Sequence, residues 1–292
     1  MTAKKQPSPH KLSGPKKFGG WMPDRPKSGQ DWLLEKKLGA IGAVPESPTI
    51  HPGYHPAVKD QGNLGSCTGE SLAYAVESLV IKKKADAGED VKSSWWREWA
   101  LSGLAAYYFA REVDGSIAYD AGSYIRSAID AARRKGIPTE ATWPYDISKF
   151  RRKPSAAAMK TAAWHKLDTL ETYRCDGAGG SREATVTNML RALGAGMPVN
   201  FGFSCPADWG DYDETGRIPV PKGRYEGGHA ITAFGADTEA RLFLGPNSWG
   251  DKIGGPQPYG SRVESRGGKG WFALPFSYVL EGDADDAWAV AL

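Results

Sequence analysis

A thiol, an imidazole and two side-chain amides in this 292-residue chain have the types and order of a cysteine acyl-transfer site. Cys67 follows the turn-prone run Gln61-Gly62-Asn63-Leu64-Gly65-Ser66 and precedes an apolar pattern of helical period. A cysteine at a helix start faces unpaired backbone N–H groups and the positive end of the helix dipole. Both favour the thiolate, the nucleophilic form. Far downstream lie His229, within Gly228-His229-Ala230-Ile231, and Asn247, within Pro246-Asn247-Ser248-Trp249-Gly250. An imidazolium beside the thiol would lower its pKa further, giving a thiolate–imidazolium pair at neutral pH. A side-chain amide would orient the ring, and the amide of Gln61 would stabilise an oxyanion. Gly65 and Ser66 are small enough to let a substrate carbonyl approach the sulfur. A lone cysteine is more often buried and inert, but inertness leaves Gln61, His229 and Asn247 unexplained.

The elements that must position these groups are legible from periodicity. Leu72, Val76, Leu79 and Val80 share one face of a helix that starts at or just after Cys67 and fades in Lys82-Lys83-Lys84. Leu101, Leu104, Ala105, Tyr108 and Phe109 mark a second helix; Ile125, Ala128, Ile129 and Ala132 mark a third, closed by Gly136 and Pro138. An Ala-rich helix is expected after Pro154 and another across Val186, Met189, Leu190 and Leu193. Strands are expected at Pro198–Phe203, His229–Phe234, Arg241–Leu244, Gly270–Leu274 and Trp288–Leu292. Helices first and strands later predict an α+β fold in two lobes, the helical one at about 55–165 and the β one at 166–292. Residues 1–20 have the composition of a disordered basic tail, and 21–54 form an extension partly packed on the body, with a helical turn across Trp32 to Leu38.

Composition narrows the class. With 40% hydrophobic and 24% charged residues the chain reads as an ordinary soluble globular protein, and no apolar run is long enough for a membrane span. Nine Lys and Arg against three acids give the first 38 residues a charge of +6, so the formal +3 of the chain leaves −3 for the rest. A nucleic-acid role would rest on that tail alone, and a solvated tail is the expectation; nucleic acid is not expected as a partner. Cys67, Cys175 and Cys205 are too few and scattered for a disulfide framework or a metal site; no metal or cofactor is expected, and Cys175 and Cys205 read as free buried thiols. No secretory signal is seen, which implies a cytoplasmic protein or one exported by a non-classical route.

Gln61-Gly62-x-x-Gly65-Ser66-Cys67 resembles the active-site segment of the papain-like cysteine peptidases, the papain and cathepsin family. Asp120-Ala121-Gly122-Ser123, then Lys135-Gly136-Ile137-Pro138 and Trp143-Pro144-Tyr145, look like that family's substrate-strand segment and the run after it; Asn247-Ser248-Trp249-Gly250 looks like its Asn-Ser-Trp-Gly box. The resemblance covers roughly residues 55–275. His229 and Asn247 lie 162 and 180 residues after Cys67, beyond the ~130–150 usual for this signature, which implies insertions. The resemblance implies a helical lobe and an antiparallel β-barrel-like lobe with the cleft between them. It also implies a peptidase with Cys67 as nucleophile, His229 as proton carrier, Asn247 as orienter, Trp249 as a shield over the His–Asn bond, and Gln61 with the Cys67 N–H as oxyanion hole. Gly65, Ser66, Gly122, Ser123 and Gly228 would line the substrate, a polypeptide taken by a monomeric enzyme.

Departures from the family pattern are local. Leu64 stands where a disulfide cysteine is usual, Thr68 where an aromatic is, and Gly228 where Asp or Asn is; Gly250 to Gly270 spans a long loop. No inhibitory propeptide is recognised in the residues before Gln61. This form resembles bacterial, archaeal and viral members, and a viral one would act in the virion or host cytoplasm. Two other activities use the same residues: a silent peptide-binding homologue, and a transpeptidase or ligase passing the acyl group to an amine.

Overall fold

Chain order places a short helix first, α1 (Leu34–Leu38), and then the cysteine-bearing α2 (Cys67–Asp86). They are seen in a computed structural model that describes residues 18–27, 30–38, 44, 55–89, 99–162, 167–176, 180–220, 223–256 and 269–292. Every residue of α2 from Cys67 to Ile81 is buried, so the single apolar face expected from Leu72, Val76, Leu79 and Val80 understates it. A helix buried all round must be covered all round. Here α3 (Gly103–Asp114) and α4 (Ile125–Lys135) pack on it from one side, and a strand carrying His229 packs from another. Ser102 caps α3, its Oγ accepting from the Ala105 N–H at 3.1 Å, and Gly115 ends it with φ 70°. The Ala-rich segment forms α5 (Ala156–Ala162). Ser181 caps α6 (Arg182–Gly194), which buries Val186, Met189, Leu190 and Leu193 as the spacing predicts. Two short helices, α7 (Tyr212–Thr215) and α8 (Ser277–Glu281), carry too little periodicity to be seen in the sequence.

Strands β1 (Trp21–Met22) and β2 (Ser123–Tyr124) pair in parallel. The main sheet is antiparallel, in the order β3 (Glu171–Arg174), β9 (Ala284–Ala291), β4 (Val199–Pro206), β5 (Tyr225–Ala233). A second antiparallel sheet holds β6 (Gly235–Asp237), β7 (Leu242–Pro246) and β8 (Trp271–Pro275). The class is α+β as expected, but among the described residues the strands stay divided between these sheets and do not close into a barrel. β5 and β9 begin earlier than their apolar patterns suggest. Gly227 and Gly228 interrupt the alternation yet pair with Cys205 and Ser204, and the acidic start of β9 is held by an ion pair from Asp286 to Arg174.

One apolar core joins α6 to the sheets through Met189, Leu193, Phe201, Phe243 and Leu274. A second joins α2 and α4 to the main sheet through Val76, Ile129, Trp288 and Val290. Cys67, Cys175 and Cys205 are all free and buried. Among the described residues no helix is long and apolar enough to cross a membrane. Residues 1–17 of the expected tail, most of 39–54 and the loop residues 257–268 lie outside the described residues, whereas Phe18, Gly19 and Gly20 are placed against the body.

Candidate active site

The turn that delivers Cys67 is tied down at each step. The Gln61 N–H donates to the Ser248 carbonyl at 2.8 Å, and the Gly65 N–H to Asp120 Oδ1 at 3.0 Å. Tyr145 spends its single hydrogen on the Gln61 carbonyl at 2.9 Å, so the 2.6 Å contact between its oxygen and Ser66 Oγ is donated by the serine. Ser66 is thus fully buried and turned inward; it supports the turn and does not line the cleft with its side chain. Thr68, one residue past the cysteine, shares a 2.6 Å hydrogen bond with Ser123 Oγ, which locks the helix start to β2.

His229 sits on β5 opposite Phe203, and the backbone N–H of its neighbour Ala230 faces the Cys67 sulfur. Its Nε2 lies 2.8 Å from Asn247 Oδ1. The Ser248 N–H, which can only donate, points at the same Oδ1 at 2.8 Å, so that atom is an acceptor and Nε2 must carry the ring proton. Asn247 Nδ2 donates to Tyr212 Oη at 2.5 Å, which fixes the amide from its other end. The imidazole is therefore held as the Nε2–H tautomer, and its Nδ1, buried without a hydrogen bond among the described residues, keeps a free lone pair. Trp249 stacks on the ring with centroids 4.6 Å apart and is itself buried. Gln61 Oε1 accepts from Ser248 Oγ at 2.5 Å and its Nε2 donates to the Leu64 carbonyl at 2.8 Å. One amide hydrogen remains to point elsewhere.

The chain's own residues Phe18 to Met22 run across this constellation. Phe18 stacks on Trp209 with centroids 5.7 Å apart and meets Trp249 edge-on. The Gly19 N–H donates to the Gly228 carbonyl at 2.9 Å, and the Ser123 N–H to the Gly20 carbonyl at 3.0 Å. A Cβ built on Gly20 would stand 2.7 Å from Cys67 Sγ. One on Gly122 would stand 2.6 Å from the Gly20 oxygen. Gly65, Gly122, Ser123 and Gly228 thus border a groove occupied by the extended N-terminal segment. No propeptide was expected from the sequence; this short run covers the thiol nonetheless. Arg126 anchors it through ion pairs to Asp24 and Asp31.

A model of the papain family of cysteine proteases matches residues 50–261. The chain belongs to the papain family. It is 32% identical to a peptidase C1-like protein of Acanthamoeba polyphaga mimivirus over 241 residues, 79% of this chain and 68% of that one. Among solved structures it is similar to xylellain, a cysteine protease from Xylella fastidiosa, at 29% identity and TM-score 0.71, covering 97% of this chain and 99% of that one. The bromelain protease of Ananas comosus, in complex with the inhibitor E64, shares the fold at 19% identity and TM-score 0.56, covering 85% of this chain and all of that one (100%). The chain is thus a papain-like cysteine peptidase that departs from the common pattern at Leu64, which packs with Leu104 and Tyr107 where a disulfide is usual.

Burial dominates the electrostatics of this papain-family site. Burial pushes the Cys67 thiol up to about 12, against the opposing Ala230 and Thr68 N–H groups. Burial also lowers His229 to about 4, against the Asn247 hydrogen bond. In this form burial therefore disfavours both the thiolate and the imidazolium. Among the described residues no cluster of His, Cys, Asp and Glu could hold a metal ion.

Several supports were not singled out in the sequence. Tyr145 and Ser248 stand inside recognisable motifs, but nothing local pairs Tyr145 with Ser66, Ser248 with Gln61 or Tyr212 with Asn247. Gly19-Gly20-Trp21 carried a signal of its own: two residues without side chains, then a large aromatic.

Proposed function

We propose that the chain hydrolyses peptide bonds through a thioester acyl-enzyme on Cys67, once residues 18–22 leave the groove. The observation that carries this reading is the fixed Nε2–H tautomer of His229, which leaves Nδ1 as a base on the side away from Asn247. With water readmitted, Nδ1 takes the thiol proton and the sulfur attacks the substrate carbonyl carbon, forming the C–S bond. The Cys67 N–H and the remaining Gln61 amide hydrogen receive the oxyanion. The C–N bond then breaks as Nδ1–H gives its proton to the leaving amine. Water, giving a proton to Nδ1, attacks the thioester carbonyl; the C–S bond breaks, the acid is released and the thiol regains its proton. Each proton taken is returned.

The test is reaction of the intact protein with an epoxysuccinyl reagent, with the adduct mapped by peptide mass, followed by mass analysis of digested peptides. An adduct on Cys67 and products shortened by addition of water support hydrolysis. Products joined to an amine would instead assign a ligase, and a labelled but inert protein a peptide-binding role.

A further inference from the structure

Trp21 follows the residue that covers Cys67, and its indole fills a socket made from two paired strands and a bulge. A Cβ on Gly202 of β4 would collide with the indole ring, and one on Gly228 of β5 would stand 2.8 Å from its Cε3. Glycine at both places makes the walls out of backbone and leaves room for a flat bicyclic ring. At the far end lies Asp286, fully buried. Its Oδ2 accepts from Trp21 Nε1 at 3.2 Å, while Oδ1 accepts from Trp288 Nε1 at 2.8 Å and Arg174 Nη1 at 2.6 Å.

The backbone bends to put that carboxylate there. Asn200 pairs with Trp288 and Gly202 with Asp285, so two residues of β9 oppose one of β4 and Asp286 lies in a bulge. It has φ 60°, a left-handed conformation that a residue with a side chain adopts at a cost. Bulges re-aim side chains, and this one aims a carboxylate oxygen at the indole edge. Arg174 already meets the negative charge, so the socket offers a hydrogen-bond acceptor more than an unmatched anion.

We propose that this socket selects a substrate side chain, and that Asp286 makes it select tryptophan: an apolar bicycle with one N–H donor at its far edge. The proposal rests on the peptidase reading above. Phenylalanine or leucine would occupy the space and leave Oδ2 buried without its donor. Lysine or arginine would bring a second cation beside Arg174. A site that hydrogen-bonds its substrate discriminates strongly against an analogue lacking the donor.

Two measurements on the full-length chain test it. The first is the rate of Cys67 alkylation in the wild type, Trp21→Phe and Asp286→Asn. Phenylalanine keeps a ring but drops the N–H; asparagine keeps Oδ1 for Arg174 and Trp288 and turns a donor toward the indole. Each should loosen the chain's own segment and speed alkylation about tenfold; an unchanged rate in the folded Trp21→Phe protein overturns the proposal. The second uses the full-length Trp21→Ala variant, whose socket is vacated, on peptides carrying tryptophan or benzothienylalanine, the same bicycle with sulfur in place of N–H. Tryptophan should lead by about tenfold or more in kcat/KM; equality, or a preference for benzothienylalanine, overturns the proposal. If no peptide is cut although Cys67 is alkylated, the hydrolase reading fails instead. The socket is then judged by which of the two peptides better protects Cys67 from alkylation, with equal protection counting against it.

Discussion

Gly20 rests on the sulfur of Cys67. A Cβ at that position would lie 2.7 Å from Sγ and 2.6 Å from the Gly65 carbonyl oxygen, so only a residue without a side chain passes over the thiol at this height. Cys67 and His229 are both fully buried in this form, and burial disfavours the charged state of each. Reactivity therefore depends on whether residues 18–22 stay down.

Gly20→Ala should lift the segment. Overlap of this kind costs about 1–3 kcal/mol, and 1.4 kcal/mol is a factor of ten. Alkylation of Cys67 at pH 7 is expected to run roughly tenfold faster than in the wild type. An identical rate would mean that the segment does not limit access.

Asn247→Ala should leave a slow enzyme. The His229 ring loses the acceptor that sets its tautomer, and kcat is expected to fall by roughly 10². The Ser248 N–H and the Tyr212 hydroxyl also lose a buried partner, which should lower stability by on the order of 3 kcal/mol in denaturant unfolding. Wild-type kcat with lowered stability would assign Asn247 to the fold alone.

Gln61→Glu preserves the shape but replaces the amide donor by a carboxylate oxygen. Loss of one oxyanion donor typically costs ~10²–10³ in kcat with little change in KM. A variant that keeps its kcat would remove Gln61 from the oxyanion hole; KM and kcat measured on one peptide decide it.

Acid should loosen the covered state. His229 is held at about 4, below its ordinary 6.5, so this form binds the imidazole proton more weakly than an open one. The stability that follows is complete above pH 6.5 and is lost as pH falls through 4, up to about 3 kcal/mol. Hydrogen-exchange protection of the Gly19 and Ser123 amides, both bonded across the segment, should drop over that window. Constant protection would show that the segment stays in place when the imidazole is protonated.

The local part of this protein was written in short stretches of chain. The helix that starts at Cys67, the α4 face of Ile125, Ala128, Ile129 and Ala132, and the strand bearing His229 all follow from periodicity and turn residues. The types and order of Gln61, Cys67, His229 and Asn247 announced the family, because such chemistry tolerates few substitutes. The burial of α2 on every side was not legible, since its polar faces, Glu70 and Glu77 among them, look solvated until α3 and the loop at Lys59 close over them. Nor were the tautomer of His229, set by Ser248 and Tyr212, or the socket that joins Trp21 to Asp286 across 265 positions of sequence. Those relationships depend on which surfaces meet when the sheets and helices pack, and no pattern confined to one segment encodes the partner it will find. Sequence determined what the reactive groups are; tertiary structure decided that the chain's own Gly20 and Trp21 lie over them.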